Sequence, residues 1–594
     1  MHQSLFISRQ QALAAQIKAL GLTHWLQPVA DEFQGEYPAS YAQRLQYLTG
    51  FSGSAGVGIF AASGVSQLLV DGRYTLQAAQ ELKGQSVVVH QTGEISLSGQ
   101  LALLPSDAKI GFDAWLHTQH QLQQLQRAIA STGQTLVATK NLVDTVWNAE
   151  QPLFSAGAVS IQPLEWAGQR SKEKLSRLRA QLSLHHAEGV VVAMPDACAW
   201  LLNIRGSDIP YNPLALGYML VTQDRVYWHT FSREISSEVA AYLSALKVTL
   251  CPLEAVWRGE EPLFQGCTHV AIDAAYAPAA MWECAAREDV VLLHAEDSMM
   301  LAKACKNEAE LNGMRLAHAR DGRALTRALF AISQAEAMDE LAAEAALEHA
   351  RRQHADYLQP SFATIAGAGE HGAIVHYRVN ASSNRPWQEG ELLLLDSGAQ
   401  YPYGTTDVTR VLVKGEPNAE MKDRYTRVLK GHIALATAQF PAGTSGSQLD
   451  ALARQYLWEI GCDFDHGTGH GVGAYLCVHE GPQRISKRGG DVPLHVGMVL
   501  SNEPGFYKAA AYGIRIENLV VVESRGTSAD GRTMLGFETL TLAPIDTTLI
   551  EQSLLSASEK AWLNAYHERV RENMKAETLS AAEHSWLTRV TAPI

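Results

Sequence analysis

No stretch of the chain approaches the ~18 consecutive apolar residues that a membrane span requires. Charge is modest, at 19% of residues, so the charge excess that keeps a chain disordered is absent. Basic residues are outnumbered, 48 against 62 acidic, and the formal net charge of −14 argues against a nucleic-acid surface. Cysteine is scarce as well. Cys198, Cys251, Cys267, Cys284, Cys305, Cys462 and Cys477 are odd in number and form no CxxC pair, which reads as reduced structural thiols and a cytoplasmic protein. Residues 1–22 lack the charged start, apolar core and small-residue cleavage site of an export signal; Leu5, Leu13, Ile17 and Leu20 are instead spaced for an amphipathic helix. The glycine-bearing turn Tyr47-Leu48-Thr49-Gly50-Phe51-Ser52-Gly53-Ser54 has no Gly-Lys-Ser/Thr ending, so it is no phosphate loop.

What is present is a soluble, globular composition, 46% hydrophobic, over 594 residues, enough for two to four domains with substantial cores. Residues 1–158 alternate helical segments (Arg9 to Leu20, Tyr74 to Leu82, His120 to Ser131) with short apolar strands (Val57 to Phe60, Gln67 to Val70, Ser86 to His90), the pattern of an α/β domain. Residues 159–307 repeat the succession, with helices at Ser171 to Leu184, Ala197 to Leu202 and Ser236 to Leu246, and strands at Gly189 to Ala193, Gly217 to Thr222 and Arg225 to Thr230. The turn at Tyr47 to Ser54 and the stretch Leu202 to Asp208 are each followed by a pair of strands, which suggests duplication of one domain. The third domain, 308–594, opens on a long helix and alternates further helices with two hairpin-like segments.

Those segments carry the chemistry. Leu392-Leu393-Leu394-Leu395-Asp396, a Pro/Gly turn at 401–404 and Thr405 to Val413 read as two paired strands that can bring Asp396 and Asp407 close across the ladder. Met498 to Gly505 and Ile514 to Val522 repeat the plan with Glu503 and Glu517 as the facing pair. Arg515, two residues before Glu517, shares its face and can orient the carboxylates. Between the hairpins His466-Gly467-Thr468-Gly469-His470-Gly471-Val472-Gly473 reads as a glycine loop that supplies an imidazole, His470. One acid in a strand is ordinarily solvated. Apolar runs interrupted by acids at matched places, twice, need a compensating cation, and four carboxylates with one imidazole suit Mn²⁺, Co²⁺, Fe²⁺ or Zn²⁺, two of which could hold a bridging hydroxide.

At these residues the chain resembles the metallopeptidase family that contains aminopeptidase P, prolidase and methionine aminopeptidase, with a pita-bread catalytic domain, and within it the large three-domain aminopeptidase P. The likeness is carried by Gly372-Ala373-Ile374-Val375-His376-Tyr377, Asp396-Ser397-Gly398-Ala399-Gln400-Tyr401, Gly404-Thr405-Thr406-Asp407-Val408-Thr409-Arg410 and Val478-His479-Glu480-Gly481-Pro482. The resemblance implies two duplicated α/β domains of creatinase N-terminal type followed by the pita-bread domain with a C-terminal extension. It implies two divalent ions, Mn²⁺ first and Zn²⁺ or Co²⁺ as alternatives, on Asp396, Asp407, His470, Glu503 and Glu517. Glu503 would also serve as general base, and His376, His466 and His479 would contact substrate or stabilise the tetrahedral intermediate. The implied activity is release of the N-terminal residue from peptides with proline second, by a cytoplasmic homodimer without nucleic-acid or membrane partners. Prolidase, restricted to dipeptides, is the nearest alternative. A metal-free amidinohydrolase of creatinase type would not need five ligands, and a non-catalytic pita-bread binding protein would not need the histidines.

Overall fold

Two six-stranded sheets of identical strand order make up the first of the chain's two units. The computed structural model describes residues 2–594. The first unit holds the residues up to Pro163 and Gln169–Met299. Its first sheet contains β1 (His24–Pro28), β2 (Val57–Ala61), β3 (Ser66–Val70), β4 (Val87–Gln91), β5 (Lys109–Phe112) and β6 (Thr135–Ala138), in the order β4-β3-β2-β1-β5-β6. Its second contains β7 (Gly189–Val192), β8 (Gly217–Thr222), β9 (Val226–Thr230), β10 (Val248–Pro252), β11 (His269–Ile272) and β12 (Val291–His294), in the order β10-β9-β8-β7-β11-β12. Pairing senses agree strand for strand: β1/β2 and β2/β3 are antiparallel and β1/β5, β3/β4 and β5/β6 parallel, as are their counterparts in the second sheet. This is the duplication that the repeated local pattern suggested.

The helix expected at Ser171–Leu184 forms with those bounds. The central strand β1 has no alternating signature: it ends in proline and buries Gln27 at 0% exposure. That amide is satisfied locally, accepting from Trp25 Nε1 at 3.2 Å and donating to Pro28 O at 3.0 Å. The opening helix His2–Ala19 uses only part of its apolar stripe, since Leu13 and Ile17 are fully buried while Leu5 is exposed.

The second unit, Leu164–Gly168 with Met300–Ile594, is an antiparallel α+β body. α1 (Glu308–Gln334) starts at Asn307, whose side chain accepts from Ala309 N and Glu310 N while the Glu310 carboxylate takes the Asn307 N–H, satisfying the helix's orphan donors. After α2 (Glu340–Arg351) come β13 (Ile365–Ala368), β14 (Leu392–Ser397), β15 (Ala399–Tyr401), β16 (Gly404–Thr405) and β17 (Val408–Val413). α3 (Ala419–Ala436) and α4 (Gly446–Trp458) lead to β18 (Gly469–Gly471), β19 (Glu480–Ile485), β20 (Val499–Asn502), β21 (Gly505–Lys508), β22 (Tyr512–Arg515), β23 (Asn518–Thr527) and β24 (Thr533–Thr539), followed by α5 (Ala557–Met574) and α6 (Ala581–Val590). One sheet runs β13-β14-β17, and another contains the run β24-β23-β20-β18-β19. Leu392 to Leu395 are each at most 1% exposed, because β14 is covered on both faces, and a strand so placed reads as an unbroken apolar run. Each such leucine contributes about 2 kcal/mol at most through burial.

Candidate metal centre

The two expected hairpins are each broken in two, and the acidic residues stand at or beside the breaks. β14 pairs with β17 up to Ser397↔Val408, and β15 resumes with β16 at Gln400↔Thr405, so Asp407 lies in the gap. Asp396 faces Thr409, not Asp407. The two aspartates are therefore diagonal neighbours on one face, two residues apart in register, which is how the ladder brings them close. In the second segment β20 pairs with β23 up to Asn502↔Asn518, and β21 resumes with β22 at Gly505↔Arg515. The register carried through the gap sets Glu503 opposite Glu517.

His470 corrects the loop expectation. It stands on β18, between β20 and β19, where its backbone N–H donates to Ser501 Oγ at 2.9 Å. The glycines beside it are needed for close approach: a Cβ on Gly469 would lie 2.0 Å from Ser501 O, and one on Gly471 2.3 Å from Glu480 O.

Side chains from these separate elements meet in one cluster. Ligand-type atoms of Asp407, His470 and Glu517 all lie within 4.8 Å of one another. His470 Nε2 is 3.5 Å from both Asp407 Oδ2 and Glu503 Oε1. Its Nδ1 donates to Gly471 O at 3.0 Å, a carbonyl that can only accept. That bond fixes the proton on Nδ1, so whenever the ring is neutral the Nε2 lone pair faces the carboxylates, as a metal ligand must. Burial, reinforced by mutual repulsion, pushes the carboxyl groups of Asp396, Glu503 and Glu517 above their ordinary range. Burial alone would lower His470, but its bond to Asp407 and the Glu503 charge raise it to about 9. The cluster thus calls for positive charge. Asp396 Oδ1 and Glu517 Oε1 are buried oxygens with no hydrogen-bond partner, and such orphans are costly unless a cation takes them. The donor set fits divalent metal ions.

Residues 9–146 and 150–310 each match a creatinase/prolidase N-terminal domain, 312–524 match metallopeptidase family M24, and 533–594 match the C-terminal region of peptidase M24. A probable Xaa-Pro aminopeptidase P of Paracoccidioides brasiliensis is 37% identical, over 96% of this chain and 96% of that protein. The chain belongs to metallopeptidase family M24. An X-prolyl aminopeptidase of Caenorhabditis elegans, described as a cytosolic enzyme with a di-nuclear active site, superposes on this M24 chain with a TM-score of 0.92 at 33% identity, covering 100% of both chains. The Xaa-Pro dipeptidase of Bacillus anthracis covers 64% of it with a TM-score of 0.51 at 22% identity, a likeness of fold alone. Two creatinase-type N-terminal domains followed by a pita-bread domain are the architecture of this M24 member.

Arg515 of the M24 centre reaches across to the first segment. It donates to Asp396 Oδ2 at 2.6 Å, to Thr409 Oγ1 at 3.1 Å and to Tyr507 Oη at 2.6 Å. Thr409 in turn donates to Glu517 Oε2 at 2.8 Å, so one guanidinium orients a carboxylate from each pair. His466 Nδ1 donates to Gly467 O at 2.7 Å, and its Nε2 is 2.9 Å from Tyr507 Oη, the acceptor of the Arg515 bond. His479 packs edge-on against His470, ring centroids 4.2 Å apart. His376 is half-buried, next to Val375, whose carbonyl accepts from Arg515 at 3.3 Å. Sequence reasoning passed over Thr409 and Tyr507. The alternation that placed Arg515 could have found Thr409, which lies two residues beyond Asp407.

Proposed function

We propose that the chain is a dinuclear metallo-aminopeptidase that hydrolyses the bond between a free N-terminal residue and a following proline. The observation that carries the proposal is the convergence of Asp407, His470, Glu503 and Glu517 with the orphaned oxygens of Asp396 and Glu517. Asp396, Asp407, His470, Glu503 and Glu517 would hold the two ions. When bound there, divalent ions lower the pKa of water and polarise the scissile carbonyl. Glu503, whose carboxyl is raised by burial and held by Ser501 Oγ at 3.2 Å, is suited to take a proton from the attacking water and give it to the departing nitrogen. That transfer matters for proline, because an imide nitrogen leaves only after protonation. His376, His466 and His479 contact substrate or the tetrahedral intermediate, with His466 fixed by Tyr507. The missing N–H and fixed φ of proline defeat proteases that grip an extended strand, whereas anchoring of the free amine does not depend on that donor.

We place the domain boundaries at 158/159 and 307/308. Four carboxylates and one imidazole favour Mn²⁺, with Zn²⁺ or Co²⁺ as alternatives. Likeness to a cytosolic relative supports the cytoplasm, and a homodimer is the assembly expected from the family. Among the described residues no helix is long and apolar enough to cross a membrane. The test compares Xaa-Pro-Pro, Xaa-Ala-Pro, N-acetyl-Xaa-Pro-Pro and Xaa-Pro after reconstitution of metal-free protein with Mn²⁺ or Zn²⁺. Release is expected only from unblocked peptides, fastest with proline second and with the tripeptide over the dipeptide. Equal cleavage of the alanine peptide removes the proline specificity, and activity confined to the dipeptide makes the protein a prolidase.

A further inference from the structure

Behind the two glutamates lies a buried cation that binds no ion. Arg410, on β17, is 2% exposed. Its Nε donates to Pro544 O at 2.9 Å, and its Nη1 donates to Thr409 O at 2.8 Å and Glu517 O at 2.6 Å. Its Nη2 donates to Asn518 Oδ1 at 2.8 Å, Ala543 O at 2.9 Å and Tyr566 Oη at 2.9 Å. Six neutral oxygens share one guanidinium, and one of them is the backbone carbonyl of Glu517 itself.

The same acceptors continue into a closed polar network. Asn502 and Asn518, which directly adjoin Glu503 and Glu517, face each other across β20 and β23. His432 joins them: its Nδ1 donates to Asn502 O at 3.1 Å, its backbone oxygen accepts from Asn502 Nδ2 at 2.9 Å, and its Nε2 accepts from Asn518 Nδ2 at 3.1 Å. Tyr566 closes the network from the C-terminal side. It stands on α5, donates to Ala543 O at 2.7 Å, and stacks on Trp562 with ring planes 3° apart, while Trp562 meets His432 edge-on. The segment 533–594 therefore supplies a hydroxyl to the guanidinium that holds the Glu517 carbonyl.

A strand gap is where backbone position is least constrained by ladder bonds, and Glu517 sits in one. We propose that Tyr566 is a positioning residue of the metal centre, acting through Arg410 to fix the Glu517 backbone, so that the C-terminal region belongs to the metal-binding machinery. The inference rests on the reading of Glu503 and Glu517 as ligands. Partners that orient ligands in this way typically control metal affinity about 10-fold or more.

Full-length wild type, Tyr566→Phe, Arg410→Lys and Val570→Ala, all freed of metal, are titrated with Mn²⁺ against a competing chelating dye, and thermal unfolding is recorded for each. Val570 is a fully buried apolar residue on the same helix, four positions from Tyr566. Tyr566→Phe and Arg410→Lys are expected to raise the Mn²⁺ dissociation constant about 10-fold, whereas Val570→Ala lowers the unfolding temperature and leaves that constant unchanged. Equal weakening in Val570→Ala would reduce the effect to a loosened helix and overturn the proposal. So would unchanged affinity in Tyr566→Phe, or in Arg410→Lys, which tests the route. A wild type that binds no Mn²⁺ would instead overturn the ligand reading beneath it.

Discussion

Replacing Asp407 by asparagine should shift the metal-free and metal-loaded proteins in opposite directions. In the metal-free molecule the Asp407 charge is among the causes that raise the carboxyl groups of Asp396, Glu503 and Glu517. A neutral amide relieves that repulsion and gives up only the 3.5 Å contact to His470. The unfolding temperature of the metal-free catalytic unit is therefore expected to hold or rise. With metal present the sign reverses. A ligating carboxylate, its charge centred about 3 Å from a divalent ion, interacts by roughly 11 kcal/mol at an effective dielectric of about 20, most of it returned as lost hydration. A net remainder of about 2.7 kcal/mol weakens the dissociation constant about 100-fold and removes the same amount of ligand-linked stability at saturating metal. The assay records melting curves of Asp407→Asn and wild type with and without Mn²⁺, together with metal content and turnover. A gap between loaded and metal-free curves as wide as in wild type, with near-normal metal and turnover, would refute the assignment of Asp407 as a ligand.

His466→Ala should lower turnover about 100-fold while leaving metal content near that of wild type, because its ring is held by Tyr507 and is assigned to substrate. Parallel loss of metal and rate, read by elemental analysis and peptide cleavage, would move His466 into the ligand set. Acid should destabilise the catalytic unit through His432 and His567, which burial pushes down to about 3 and about 4. Their folded values lie below the ordinary 6.5, so the unfolded chain binds protons that the native one refuses. Stability is then fully present above about pH 6.5 and is lost toward pH 4, by about 3 kcal/mol for each group. An unfolding temperature unchanged between about pH 7 and pH 4.5 would contradict this.

The parts of the site that repeat were the parts legible in the sequence. Acids at matched places in two apolar runs show through without any alignment, and so does an imidazole flanked by glycines. Strand register was less legible, because a diagonal pair and a facing pair have the same parity: Asp396 and Asp407 share a face in either case, and only the pairing of Asp396 with Thr409 separates them. The strand character of His470 was hidden by its glycines, which read as a flexible loop but serve close approach to β20 and β19. The duplicated sheets were visible in outline, and so was the central strand of the second at Gly189, while that of the first was not, because β1 buries a glutamine and ends in proline. The support contributed by Arg410 and Tyr566 was out of reach: its partners lie 156 residues apart, and nothing periodic joins them.

The three histidine segments share one device, and it yields a last prediction. Glu340, fully buried, accepts from Ala368 N at 2.9 Å, His371 Nδ1 at 2.8 Å and Tyr377 Oη at 2.9 Å, pinning the stretch that carries His376. Arg454, 1% exposed, donates to Phe464 O at 2.7 Å and His466 O at 2.8 Å, holding the turn of His466. Glu480, next to His479, is gripped by Lys303 at 2.6 Å and by Lys306, with all three side chains buried. Ions so deep seldom add net stability over apolar residues of the same volume, whereas an ion left without a partner is very costly. What these groups contribute is therefore position, and the Glu480 cluster allows a clean separation because two lysines grip its one carboxylate. Lys306→Met leaves Glu480 still paired with Lys303, so stability is expected to stay within about 1 kcal/mol. The segment bearing His479 loses one of its two anchors, and turnover on Xaa-Pro-Pro is expected to fall about 10-fold through misplacement of the imidazole. Unchanged turnover would show that the second lysine does nothing for His479, and collapse of the fold would show that it is there for stability after all.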